Sequence, residues 1–287
     1  MHGRYVGQGT DAKARYAVLD AARGRAEHTP MRFEISGTTM QTVAVDLAPG
    51  EALFSQTNCM AWMSDSIQMN THTGGGLFAG IRRSLSGGSL FITEFTTQSG
   101  GHIAFAPRFP GTIVARTLLP QESLICRKET FLCAQASVTL EIAWQQRLGA
   151  GFFGGEGFIL QKVTGPGVVW LDLSGEVVER DLAPGERLLV HAGHVGVQEP
   201  TVQFDIQLVR GFRNLLFGGE GLFLATLTGP GHVWLQSMPI MNLAEEIARY
   251  LPGSGTHSGA GSALGNVAGV AAVGGLLGEL FGGNNRD

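Results

Sequence analysis

The sequence predicts an all-β protein made of three copies of one β-sandwich module, and three observations carry that prediction. The run GFFGGEGFILQKVTGPGVVWL at 151–171 returns as LLFGGEGLFLATLTGPGHVWL at 215–235, with Trp170 and Trp234 standing 64 residues apart. The same offset relates V-T-L-E-I-A-W at 138–144 to V-Q-F-D-I-Q-L at 202–208. Both alternate in the period of a strand with one buried face. Finally, D-L-A-P-G-E at 46–51, T-L-L-P-Q-E at 117–122 and D-L-A-P-G-E at 181–186 mark one turn three times. The shift that aligns the first two of these turns also sets Ile67, Met69 and Thr71 against Val138, Leu140 and Ile142.

Taken in order, residues 1–30 lack an apolar stretch long enough for a signal peptide and read as a disordered extension. Three modules follow, over about 31–110, 111–178 and 179–240, each a series of short apolar runs cut by Pro-Gly or Gly-Gly pairs. The Pro-Gly pairs at 49–50, 166–167, 184–185 and 230–231 suit type II turns, whereas Gln121 in the middle copy points to a type I turn. Within each later copy, GGEG opens a strand, TGPG turns it, and the tryptophan-bearing run returns as the second arm of a hairpin. A module of this size is marginal alone, so stacked copies must share a core. At 241–252 a short docking helix is expected, with Asn242 and Glu245 as a capping box and Pro252 as its stop. The Gly/Ala-rich segment 253–287 reads as a flexible tail rather than a membrane-spanning helix, because its glycine density lowers both helix propensity and hydrophobicity.

A net charge of −4, from 20 basic and 24 acidic residues, supplies no footprint for nucleic acid. Charged residues make up only 15% of the chain, which points to surface covered by oligomerisation. Cys59, Cys126 and Cys133 show no metal or disulfide spacing, and a reducing cytoplasm suits them. His191 and His194 form an H-x-x-H with His232 downstream, but on a strand residues three apart face opposite sides, so a surface role is expected. Glu156 and Glu220 are equivalents in separate copies, which argues for turn-stabilising carboxylates over acid–base catalysis. The glycine run at 74–80 lacks the strand, helix and lysine of a phosphate loop. Gly154, Gly155, Glu156, Gly157 and Trp170, with their counterparts Gly218, Gly219, Glu220, Gly221 and Trp234, are therefore structural repeat positions, and no catalytic, cofactor or metal residue is expected.

M-x-T-x-x-G-G-G-L-F-A-G-I-R-R-S-L-S-G-G-S-L-F at 69–91, H-I-A-F-A-P-R-F-P-G at 102–111 and G-G-E-G-L-F-L-A-T-L-T-G-P-G-H-V-W-L-Q-S at 218–237 resemble the altered inheritance of mitochondria 24 family over Met31 to Leu251. The resemblance implies a triplicated β-sandwich similar to the tryptophan RNA-binding attenuator protein, and homotrimers in which three subunits of three modules form a ring. The attenuator protein's basic ring and tryptophan pockets have no residue-by-residue counterpart here, so the fold does not bring RNA binding with it. The expected function is a non-enzymatic oligomeric scaffold or adaptor in the cytoplasm, with a protein partner or membrane surface reached through the tail. The alternative is a small-molecule or carbohydrate-binding sandwich using His191, His194, Trp170 or Trp234.

Overall fold

The computed structural model describes residues 31–56, 58–72, 92–146, 157–209 and 222–250. The chain divides into a β unit that ends at Pro239 and a C-terminal unit that begins at Ile240.

In the β unit, module 1 contributes β1 (Arg32–Ser36), β2 (Thr42–Leu47), β3 (Ala52–Gln56), β4 (Met60–Met63), β5 (Ile67–His72), β6 (Ile92–Thr97) and β7 (Gly101–Phe105). Module 2 contributes β8 (Gly111–Leu118), β9 (Ser123–Arg127), β10 (Phe131–Gln135), β11 (Thr139–Gln146), β12 (Phe158–Thr164) and β13 (Gly167–Ser174). Module 3 contributes β14 (Val177–Leu182), β15 (Arg187–His191), β16 (Val195–Gln198), β17 (Gln203–Val209), β18 (Leu222–Thr228) and β19 (Gly231–Gln236). Leaving β1 aside as an addition, each module therefore runs through six equivalent strands.

Those six strands do not form one sheet. The first, sixth and third of each module make one half-sheet, and the fourth, fifth and second make another, giving sheets β1-β2-β7-β4, β5-β6-β3-β10-β13-β8, β11-β12-β9-β16-β19-β14 and β15-β18-β17. Each six-stranded sheet is a composite of two modules, joined where β3 meets β10 and where β9 meets β16. Three cores separate the four sheets. Core 1, between the first and second sheets, holds Val45, Phe95, Phe105 and Trp170; core 2 holds Phe54, Phe131, Leu171 and Trp234; core 3 holds Phe158, Leu182, Phe223 and Val233. Because the two composite sheets are buried on both faces, β13 is a continuous run of buried residues rather than an alternating one.

This layering corrects the expected hairpins. β12 and β13 belong to different sheets, as do β18 and β19, so each TGPG turn is a corner between layers. The antiparallel neighbours are instead β5 with β6, β11 with β12 and β17 with β18. The type II reading of the TGPG turns is also corrected, since Gly167 and Gly231 have φ of 136° and 143°, well beyond the ~80° of that turn's second central position. A Cβ on Gly165 would run into the carbonyl oxygens of Leu118 and Leu119, so only glycine lets the corner lie this close to the neighbouring turn.

The third correction concerns Gln121, whose φ of 67° reproduces the positive φ of Gly50 and Gly185. Its turn closes like theirs, with Glu122 N–H donating to Leu119 O at 2.9 Å. The Glu122 carboxylate in turn accepts the Leu119 N–H at 2.9 Å, and Glu51 and Glu186 do the same for Ala48 and Ala183 at 2.8 Å. Tertiary pairing of Pro120 with Gly165 pins the turn as well, and together these bonds outweigh the ~1–2 kcal/mol that a left-handed conformation costs a residue with a Cβ.

In the C-terminal unit, α1 spans Ile240–Tyr250. It begins two residues before the expected cap, directly after Pro239, placing Asn242 inside the helix. Ile247 and Tyr250 on this helix are exposed. Among the described residues no helix is long and apolar enough to cross a membrane. The expected tail and residues 1–30 lie outside the described residues.

Candidate functional site: two open sheet edges

The composite sheets show what each terminal sheet lacks. The first sheet carries the β2-β7-β4 half of a composite; its edges are β1 and β4, and β4, the equivalent of β10 and β16, is the edge left free at the joint position. The fourth sheet carries the β17-β18-β15 half; its edges are β17 and β15, and β15, the equivalent of β3 and β9, is the edge left free at the joint position. Inside the chain, strands of these two kinds pair with each other at both module junctions. The two free edges are thus opposite halves of one joint.

Side chains tell the same story. Trp62 on β4 is 50% exposed and Leu189 on β15 is 62% exposed, whereas at the internal joints the equivalents of Trp62, Cys133 and Val197, are buried, and those of Leu189, Phe54 and Ile125, are buried and partly buried. An exposed strand edge bearing large apolar groups is a template for pairing with another chain.

Polar contacts repeat beside each joint. At the ends of the third strands, Ser64 Oγ, Gln135 Oε1 and Glu199 Oε2 accept the backbone N–H groups of His102, Val168 and His232 at 2.9, 2.7 and 3.0 Å. Across the joints, Gln56 Nε2 donates to Lys128 O at 2.7 Å and Arg127 donates to Gly193 O at 3.1 Å. The sequence hides the first set, because Ser, Gln and Glu share only an acceptor oxygen. Trp62 was legible in principle: the offset that aligns the DLAPGE and TLLPQE turns sets it on Cys133.

Trp170 is fully buried in core 1 and Trp234 is buried in core 2. Gly157 precedes β12 with a φ of 84°. Gly154, Gly155, Glu156, Gly218, Gly219, Glu220 and Gly221 lie outside the described residues, as does the glycine run at 74–80.

The single-turn 3-10 helix Ala192–His194 brings the His191 and His194 rings to 5.6 Å, supplying the turn that a straight strand could not. His194 Nδ1–H donates to Gln236 O at 2.8 Å, which commits that nitrogen to the backbone. Burial, with His194 and then Arg127 nearby, pushes the His191 pKa down and favours its neutral form. His232 is held elsewhere, its Nδ1–H donating to Asp181 at 2.6 Å. Among the described residues, no group of three His, Cys, Asp or Glu is arranged to hold a metal.

All three thiols are buried, and burial raises their pKa values, that of Cys126 to about 12 with Glu129 adding to the effect. Such groups remain protonated and are poor nucleophiles at neutral pH. Burial also lifts Asp172 to about 7 against the opposing pull of Arg108. Its counterpart Gln236 is satisfied on both sides, accepting the Ser174 N–H at 3.0 Å and donating to Gly193 O at 2.8 Å.

The family model for mitochondrial biogenesis AIM24 matches residues 33–238, spanning all three modules. The chain belongs to the AIM24 family. An uncharacterized protein of Streptococcus pyogenes serotype M6 is 31% identical over 234 residues, covering 78% of this chain and 92% of that relative. The crystal structure of protein SPYM3_0169 from Streptococcus pyogenes has a TM-score of 0.64 at 28% identity, with 77% of this chain and 100% of that one covered. Both the sequence and the fold of the AIM24 family thus extend over the β unit.

Proposed function

We propose that the protein is a non-enzymatic, homo-oligomeric scaffold or adaptor of the AIM24 family. The observation that supports this reading most directly is the complementarity of the two free edges, since β4 and β15 are of the two strand types that pair at both internal joints. An interface between different surfaces of identical copies closes into a ring when its rotation allows. The family resemblance favours three copies, and a closed ring covers the exposed apolar residues of both edges. On this reading the protein works in the cytoplasm, presenting its C-terminal unit to a protein partner or membrane surface.

Light scattering coupled to size exclusion tests the assembly. The expected mass is three times the 30.4 kDa of one chain, and a strict monomer at micromolar concentration contradicts the reading. Liposome flotation of the full chain against one ending at Pro252 tests the tail, with equal lipid-fraction recovery removing it as an anchor.

A further inference from the structure

We propose that His191 and His194 form a two-imidazole site for a divalent transition-metal ion of the class that imidazole nitrogen favours, such as Cu²⁺, Ni²⁺ or Zn²⁺.

The spacing of the rings suits a shared ion. The 3-10 turn Ala192–His194 brings the two centroids to 5.6 Å, with the ring planes 70° apart. An ion ~2.0–2.1 Å from one nitrogen of each ring lies ~3.2 Å from each centroid, so a tetrahedral angle at the ion sets the centroids ~5 Å apart. A small ring rotation closes the difference.

The nitrogens are in the state that ligation needs. Gln236 O can only accept, so the 2.8 Å contact makes His194 Nδ1 the protonated nitrogen and leaves the lone pair on Nε2. A ring N–H given to a backbone carbonyl is the usual support of a metal-binding histidine, because it fixes both the tautomer and the ring orientation. Among the described residues, His194 Nε2 and both nitrogens of His191 have no hydrogen-bond partner. Both rings are half-buried, and none of these three nitrogens is shut off from solvent.

The backbone between the two rings is held from several sides. Gly193 O accepts from Gln236 Nε2 at 2.8 Å and from Arg127 Nη1 at 3.1 Å. A Cβ on Gly193 would stand 2.9 Å from Pro239 Cβ and 3.4 Å from His191 Cε1, so the turn is packed closely between Pro239 and that ring. Such fixing lowers the cost of ordering two side chains round an ion. Arg127 brings a cation near the site, and its pairing with Glu129 at 3.1 Å offsets that charge.

The repeat does not call for the pair. The same positions hold Gln56 and Cys59 in module 1 and Arg127 and Thr130 in module 2, so the shared fold packs without imidazoles there. Among the described residues no third His, Cys, Asp or Glu joins the two. The remaining coordination positions therefore fall to water or to an incoming group.

Calorimetric titration of the untagged, chelator-treated full-length chain with Cu²⁺, Ni²⁺, Zn²⁺ and Ca²⁺ tests the site. One Cu²⁺ per chain is expected, bound more tightly than Ni²⁺ or Zn²⁺, with no Ca²⁺ bound because that ion takes oxygen ligands. His191→Asn and His194→Asn are each expected to weaken Cu²⁺ binding about tenfold or more, since even a supporting contact is commonly worth that much. His194→Asn keeps a donor for Gln236 O, so the metal-free variant is expected to hold the parent's thermal midpoint. Electron paramagnetic resonance of the Cu²⁺-loaded parent, a readout that needs no variant, is expected to show coupling to two imidazole nitrogens. Absence of stoichiometric Cu²⁺ binding, unaltered binding in either variant, or coupling to fewer than two imidazoles overturns the site.

Discussion

Core 1 and core 3 are enclosed by the same strands of their respective modules, yet they are finished differently. Core 1 receives Leu132, Cys133, Val168 and Trp170 from the module that follows, and its own Phe105 is fully buried. Among the described residues core 3 receives no such contribution, and Leu235 and Leu188 are only partly buried at its margin. The difference teaches that a module here is an open unit, sealed by a neighbour's half-sheet. Among the described residues, repetition then leaves core 3 without a neighbour's half-sheet at one end and Trp62 half exposed at the other.

The largest expected effect separates the two tryptophan settings. Trp170→Ala is expected to destabilise the chain by roughly 3–5 kcal/mol, the cost of emptying a packed aromatic site, whereas Trp62→Ala leaves the dissociated chain's stability nearly unchanged. Urea denaturation at high dilution checks both, and equal losses would break the contrast between sealed and open joints.

Asp172 sharpens the comparison by pH. Its folded pKa is raised to about 7, so between the ordinary carboxylate range and that value the folded chain holds a proton that the unfolded chain has released. Stability is therefore expected to fall as pH rises through this window, by up to roughly 1.4 kcal/mol per unit, and to level off above it. Asp172→Asn removes that slope. An unchanged pH profile of thermal unfolding in the variant would assign the slope to other groups.

The layer-crossing corners should respond alike. Gly165→Ala and Gly229→Ala each drive a Cβ into the carbonyl oxygens of the adjoining turn, and each is expected to cost about 1–3 kcal/mol as overpacking. A marked difference in their thermal midpoints would show that the corners of modules 2 and 3 are not equivalent. The smallest effect belongs to the turn carboxylates. Glu122→Ala and Glu186→Ala are each expected to cost about 1 kcal/mol, the usual worth of one such hydrogen bond, measured by denaturant midpoint.

Strand identity and the threefold repeat were legible because alternation and turn residues are local signals. Partner choice was not. Phe158–Thr164 and Gly167–Ser174, separated by a tight turn, have the pattern of a hairpin, and only burial on both faces sends them to different sheets. Gln121 misled for a related reason, since its positive φ is imposed by Glu122 and by the pairing of Pro120 with Gly165, neither of which local propensity registers. Of the candidate site, Trp170 and Trp234 were visible as a repeated pair. Trp62 escaped because it occupies the same core-facing pair from the opposite strand, a relation that sequence offset alone assigns to Cys133.

Amide hydrogen exchange on the assembled protein tests the central claim most directly, because an edge strand's free N–H groups exchange quickly unless another strand pairs with them. The account predicts that amides of β4 and β15 that are unpaired in the single chain are protected in the oligomer to the level of β10 and β3, and lose that protection together on dilution. Rapid exchange at both edges in a protein that remains oligomeric would contradict it.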